Sequence, residues 1–451
     1  MLEKADRSNY LFDNKSLLVL VVPLIIEQLL NVSVGIVDSV MVSRVGEAAV
    51  SGVSLVDNIM ILLINAFAAL ATGGAVVAGQ YLGQKRYKEG CKASTQLVWF
   101  ITILALGITL LVYLGHHFIL HNVFGKIDAD VMGHAKTYLL IVTASIPFMA
   151  LYNGGAAISR TMGNSSLPML ISFIMVIINT VGDAVGVFVL RMGVAGVAIP
   201  TLVARIAAAV LVIIPLCSEK KILHFKKSWR YRPDKSMIKK ILSIGVPNGM
   251  ENSMFQLGKI IVLSLVATFG TYAIAANAVS TAVAMFQILP GLAISLAVTP
   301  VIARCVGVGD YEQVIYYTKK MNLITYAGLI IINSIIFLLI PVIMKIYNLS
   351  AQTAQVTQSI IIFHGIACII IWPIAFILPG TFRAAGDAKI CMIISIISMW
   401  VFRIGFSYLL GGYFGLGVFG VWIGMVIDWV VRAVCFIIRY ISGKWKKEAI
   451  V

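Results

Sequence analysis

Ile177-Ile178-Asn179-Thr180-Val181-Gly182-Asp183 places an amide and a carboxylate inside a long apolar run, and the setting of that run decides what kind of chain this is. Asn179 and Asp183 are four residues apart and share one helix face. An ionised side chain inside a hydrocarbon-spanning helix costs about 2.5–3.5 kcal/mol on insertion scales, so an acid there faces a partner, a cavity or an ion. The rest of the chain confirms the hydrocarbon setting. Its 451 residues are 60% hydrophobic and 12% charged, with a mean hydropathy of +0.97. Those values exclude a soluble globular domain and indicate an all-α polytopic membrane protein.

A helix needs about 20 apolar residues to cross roughly 30 Å of hydrocarbon. Twelve such windows are present, near 17–42, 52–78, 94–115, 136–157, 167–190, 193–217, 240–268, 276–301, 321–346, 357–381, 389–411 and 415–440. An even number of spans leaves both termini on one side. That side collects 26 Lys and Arg, against five on the other (Arg44, Lys126, Lys136, Arg191 and Lys345), so both termini are expected in the cytoplasm of a cell-membrane protein. The net charge of +16 is accounted for in the same way, and no nucleic-acid partner is expected. The six cysteines lack metal spacing, no catalytic histidine cluster is present, and neither a cofactor nor an enzyme activity is implied. Residues 1–16 are polar and precede no cleavable leader pattern, so the first span is expected to persist.

The basic stretch 218–239 breaks the composition almost at the midpoint, and it separates halves that repeat at an interval of 224 residues. Pro23 corresponds to Pro247, Glu27 to Glu251, Gly46 to Gly270, Gly83 to Gly307 and Tyr87 to Tyr311. Arg160 corresponds to Arg383 one residue off that interval. The expected organisation is a cytoplasmic N-terminus (1–16), an N-lobe of six spans (17–217), a linker (218–239), a C-lobe of six spans (240–440) and a cytoplasmic C-terminus (441–451). Each half holds an even number of spans, so the repeats run parallel, as in transporters. Trp229 and Tyr231 in the linker could touch lipid headgroups, though a solvated loop that sets topology explains the charge equally simply.

Asp38, Asp183 and Thr201 all fall in the extracellular half of their spans by the 1.5 Å rise per residue. Pro200 removes a helix donor and frees the carbonyl near Gly196. Two carboxylates, the Asn179 amide, a hydroxyl and a carbonyl are hard oxygen ligands, suited to a proton or a small cation such as Na+. The structural alternatives are an Asp183–Arg205 salt bridge and an interhelical hydrogen bond from Asn179. In the second half, Glu251 could pair with one of the bases Lys259, Arg403 or Arg432, or could line a substrate cavity together with Arg403. Met254 and Met285 could supply an adaptable apolar surface or simply pack.

The segments Val37-Asp38-Ser39-Val40-Met41-Val42-Ser43-Arg44-Val45-Gly46, Gln80-Tyr81-Leu82-Gly83, Arg160-Thr161-Met162-Gly163-Asn164, Gly193-Val194-Ala195-Gly196-Val197-Ala198 and Phe382-Arg383-Ala384-Ala385-Gly386-Asp387 together resemble the MATE (multidrug and toxic compound extrusion) transporters. The resemblance spans the chain. It implies two pseudo-symmetric six-helix lobes and antiport, in which inward H+ or Na+ flow drives export of amphipathic, often cationic, compounds by alternating access. It implies a cation site at Asp38, Asn179, Asp183 and Thr201, with Tyr138 and Asn153 lining the same chamber and Pro23 on a helix that bends during the cycle. A monomer in the lipid bilayer with small organic substrates is expected. Some branches of the family carry a C-lobe acid eight residues after the helix-seven proline; that position is Phe255 here, with Glu251 one turn earlier, where it could still serve the same face. The competing reading is a flippase for a lipid-linked metabolite, which would call for a strongly basic cavity.

Overall fold

In lipid every backbone N–H and C=O must be satisfied within its own segment, and the long apolar runs therefore coil into helices. The computed structural model describes residues 10–123, 125, 128–225, 232–446 and 450–451, and among them there is no strand. Trp229, Tyr231 and Lys126 lie outside the described residues.

The first half comprises α1 (Asn14–Ser43), α2 (Glu47–Gly83), α3 (Tyr87–Phe118), α4 (Ala129–Thr143), α5 (Ile146–Thr161), α6 (Ser166–Ala184) and α7 (Ala195–Leu216). The second comprises α8 (Lys235–Ala267), α9 (Thr271–Gln287), α10 (Leu289–Val308), α11 (Tyr311–Tyr347), α12 (Ala351–Phe376), α13 (Leu378–Ala384), α14 (Ala388–Ile397) and α15 (Gly417–Ile441). π-helical turns extend α3, α6 and α14, at Ile119–Val123, Val185–Val189, Ser398–Ile404 and Ser407–Tyr413. Ten helical stretches are long and apolar enough to cross a membrane, and the α4–α5 pair, bent by 48°, makes an eleventh span. The twelfth is α8, whose apolar run is diluted by Asn248, Glu251, Asn252, Gln256 and Lys259. A span expected to be continuous is divided at Ile288 into α9 and α10, whereas its repeat mate α2 runs unbroken for 37 residues.

The helices form two compact units. Residues 13–249 with Val451 make one, and residues 10–12 with 250–450 make the other, so the division falls inside α8, beyond the basic stretch. In the first unit α1 packs on α6, α6 on α7, and α2 on α3, α4 and α5. In the second, α10 packs on α11, and α12 on α9 and α15. The repeat is visible in the turns. Gly46 and Gly270 each precede the second helix of their half at φ of +140° and +96°, a region open to glycine and costly for other residues.

The segment leading into each half's first helix is held by the other half's counterpart helix. Asp234, just before α8, pairs with Lys92 near the start of α3, and its backbone N–H donates to Gln96 Oε1 at 3.2 Å. Phe12, just before α1, exchanges hydrogen bonds with the Tyr317 hydroxyl near the start of α11, at 2.9 and 2.7 Å.

Candidate functional site

The first unit gathers its polar side chains where α1, α6 and α7 meet. Asp183 sits one turn beyond Asn179 on the buried face of α6 and has no solvent exposure. The Asp38 carboxyl, near the end of α1, lies within hydrogen-bonding reach of the Asp183 carboxyl. The Asn179 amide donates to Thr201 Oγ1 across the α6–α7 contact at 3.1 Å, and Thr201 in turn donates to the Val197 carbonyl at 3.0 Å. This arrangement uses the amide's donor side and leaves its acceptor free.

The result is a set of buried acceptors. Both oxygens of Asp183, Asp38 Oδ1 and Asn179 Oδ1 are buried with no hydrogen-bond donor among the described residues. Buried polar atoms are nearly always satisfied, so these four acceptors are open to a proton, a water or a small cation. All four are hard oxygen ligands of the kind that suits Na+. Among the described residues no cluster of three His, Cys, Asp or Glu side chains could hold a metal ion.

A second ring surrounds this set. The Tyr138 hydroxyl donates to Asp57 Oδ1 at 3.0 Å, and Arg205 donates to Ser145 Oγ at 2.7 Å. Arg205 lies within electrostatic reach of Asp38, Asp57 and Tyr138, and the charge of Asp57 in turn acts on Asp38. The expected alternative, an Asp183–Arg205 salt bridge, is not formed. Asp57 was missed in the sequence because an acid near the end of a span reads as interfacial.

Other expected site residues lie elsewhere or stand alone. Asn153 Nδ2 is buried without a hydrogen-bond partner among the described residues. The Gly196 carbonyl freed by Pro200 rests against the α6 backbone at Gly186, where an added Cβ would come within 2.3 Å of it. Both α1 and α7 run unbroken through Pro23 and Pro200. Met254 is half-buried and Met285 exposed.

Glu251 pairs with none of the three bases considered for it. Its Oε2 lies 2.7 Å from Arg383 Nη2. The repeat mates make the same contact, Arg160 Nη2 to Glu27 Oε1 at 2.5 Å, with the Tyr152 hydroxyl 2.9 Å from Ser172 Oγ and 3.5 Å from Glu27. Arg160 and Arg383 are thus helix-borne ion-pair partners and not loop charges. Without these two, the side bearing the termini has 24 Lys and Arg against five.

The family model MatE matches residues 23–185 and again 247–409, two equal stretches separated by the repeat interval. The chain belongs to the MATE family of transporters. It is 28% identical to the uncharacterized transporter YisQ of Bacillus subtilis over 95% of this chain and 94% of that one. It is 25% identical to the probable multidrug resistance protein NorM of Thermotoga maritima, over 97% and 94% of the two chains. A crystal structure of a MATE protein in the bent conformation superposes with a TM-score of 0.87 at 20% identity, covering 97% of each chain. This MATE protein is therefore a multi-span membrane transporter with the two-lobe, twelve-helix layout, and it is not an enzyme.

Proposed function

We propose that this MATE transporter is an antiporter of the cell membrane, in which H+ or Na+ entering through the first unit drives export of amphipathic organic compounds by alternating access. The observation that carries this reading is the set of four buried, donorless oxygens on Asp38, Asn179 and Asp183. Thr201 orients the amide so that its oxygen stays available, and Asp57 and Arg205 set the field around the pair. Two carboxyls this close in a low-dielectric pocket do not readily both carry charge, so a proton or a metal cation relieves their repulsion. Coupling requires only that the ion and the cargo bind with unequal affinity in the two conformations. A membrane potential of about 100 mV supplies roughly 2.3 kcal/mol per charge moved inward, enough for one or two ions to drive uphill export.

The lobes are taken as 17–217 and 240–440, acting as a monomer with both termini cytoplasmic, in keeping with the excess of basic residues on that side. Purified protein in vesicles, given a Na+ gradient or a pH gradient of equal size, tests the reading. Fluorescent-dye export should follow one gradient and collapse when that gradient is dissipated. Export indifferent to both gradients would overturn it.

A further inference from the structure

The second unit holds charges that ion coupling at the first does not use. Phe255 on α8 is ringed by three cations: Lys259 Nζ lies 5.2 Å from the ring centroid, Arg403 Cζ 5.3 Å and Arg432 Cζ 5.6 Å. Among the described residues one acid, Asp428, is paired with them. Asp428 is fully buried, with Oδ1 at 2.9 Å from Arg432 Nε and 2.5 Å from Ser398 Oγ, and Oδ2 at 4.0 Å from Arg403 Nη1. Arg432 also donates to the Ser395 carbonyl at 3.2 Å. Asp428 therefore serves Arg432 closely and Arg403 only at a distance. Arg403 is 9% exposed and its Nε has no hydrogen-bond partner among the described residues. Lys259 makes no ion pair among the described residues and rests on the ring face.

Three formal positive charges against one negative leave an excess of two inside a helical bundle. An uncompensated charge within hydrocarbon is costly, and a ring face returns only part of that cost. Such an excess is retained where a negative group arrives to neutralise it. The walls fit an aromatic or otherwise apolar body: the Phe376 ring lies 5.5 Å from Arg432 Cζ and 5.7 Å from the Trp429 ring. The irregular backbone points the same way, since Arg403 sits in the π-helical segment Ser398–Ile404, and π turns are frequent at functional sites.

We propose that the second unit binds the anionic group of an exported organic acid, a carboxylate or a phosphate ester, with Lys259 and Arg403 contacting the anion and Phe255 and Phe376 its apolar body. This names the cargo class for the transport function above, and rests on that reading only in calling the bound anion cargo. The expected cationic cargo is thereby replaced by an amphipathic anion or zwitterion.

Equilibrium binding to the full-length protein in zwitterionic nanodiscs, without any gradient, tests this apart from ion coupling. The probes are a fluorescent coumarin carboxylate, its neutral carboxamide and its aminomethyl analogue. The carboxylate should bind at least about tenfold tighter than either analogue, as expected for a charge-assisted hydrogen bond of roughly 1.5–3 kcal/mol. Lys259→Met and Arg403→Gln should each erase most of that preference, whereas Asp183→Asn should keep it. Lys259→Met should also melt no lower than the parent, because the lysine has no ion pair to lose, which separates a binding role from a structural one. Equal binding of the three probes, or an unchanged preference in both variants, would overturn the proposal. So would complete displacement of the carboxylate by phosphatidylglycerol added to the nanodiscs, which would assign the cations to a lipid headgroup.

Discussion

The two halves of the chain share a scaffold and reverse its interior charge. The Glu27–Arg160 pair recurs as Glu251–Arg383, helix partner for helix partner. None of the four oxygen-bearing residues of the first unit's site recurs at the 224-residue interval. Asp38 becomes Val262, Asn179 becomes Arg403, Asp183 becomes Ser407 and Thr201 becomes Met425. In the opposite direction Lys259 stands where the first half has Gly35, and Asp428 and Arg432 where it has Ala204 and Ala208. What both halves keep is the bond that ties a half's first helix to the helix bearing its arginine. What differs is the charge that each interior carries.

The largest effect follows from removing the acid that defines that difference. Asp183→Asn is expected to insert and fold normally and to export at the level of empty vesicles under either gradient, since the pocket then loses the charge that an ion neutralises. Dye flux into or out of vesicles at matched protein density measures it. Undiminished ion-driven export would dissolve the contrast between the halves.

The shared pair should behave alike on both sides. Glu27→Gln and Glu251→Gln each strand a buried arginine, which costs about 3–5 kcal/mol for a fully buried pair. The arginines retain 13% and 16% side-chain exposure, so about 3 kcal/mol and closely matched falls in melting temperature are expected. A fall on one side only would mean that one pair has been turned from scaffold to function.

Gly196 and Gly420 sharpen the contrast by separating packing from chemistry. A Cβ on Gly196 would meet the Gly186 backbone at 2.7 Å, and one on Gly420 the Gly411 backbone at the same distance. Either Gly→Ala change must push two helices apart, at about 1–3 kcal/mol. Only Gly196→Ala shifts α7 against the helix carrying Asn179 and Asp183, so only it should weaken ion affinity, read as a higher Na+ or H+ concentration for half-maximal export.

Most of this scaffold can be read from the residues themselves. Hydropathy places the spans because lipid allows few alternatives to helix, and the repeat interval survives in glycines and prolines that the backbone needs. Asn179 and Asp183 stand out because apolar neighbours make a polar residue conspicuous. Arg160 and Arg383 stand out as a repeated motif but not as ion-pair partners, because an arginine near a helix end looks like any cytoplasmic loop charge. Their partners lie 133 and 132 residues away in sequence, a separation that only folding closes. The cluster around Phe255 is hidden for the same reason, being assembled from α8, the π segment and α15. The π turns leave no mark in composition, yet Arg403 lies on one.

The smallest effect concerns the segments that enter each half. Lys92 is exposed and Asp234 half-buried at a helix end outside the hydrocarbon, and the ammonium, with the Met237 N–H, holds the Asp234 carboxyl below its ordinary range. A carboxyl depressed in the folded state contributes stability above its unfolded value, near 3.9, and loses that contribution only as pH falls through the lower folded value. The pair is therefore insensitive to pH from about 5 to 8 and sensitive to salt, which screens exposed charges. Lys92→Ala should cost less than about 1 kcal/mol, and high salt should abolish the difference from the parent. The counterpart in the second unit, the Phe12–Tyr317 exchange, is buried and uncharged, so Tyr317→Phe should cost more and be indifferent to salt. Melting curves of both variants at low and high salt distinguish an electrostatic strap from a hydrogen-bonded one, and equal salt dependence would refute the distinction.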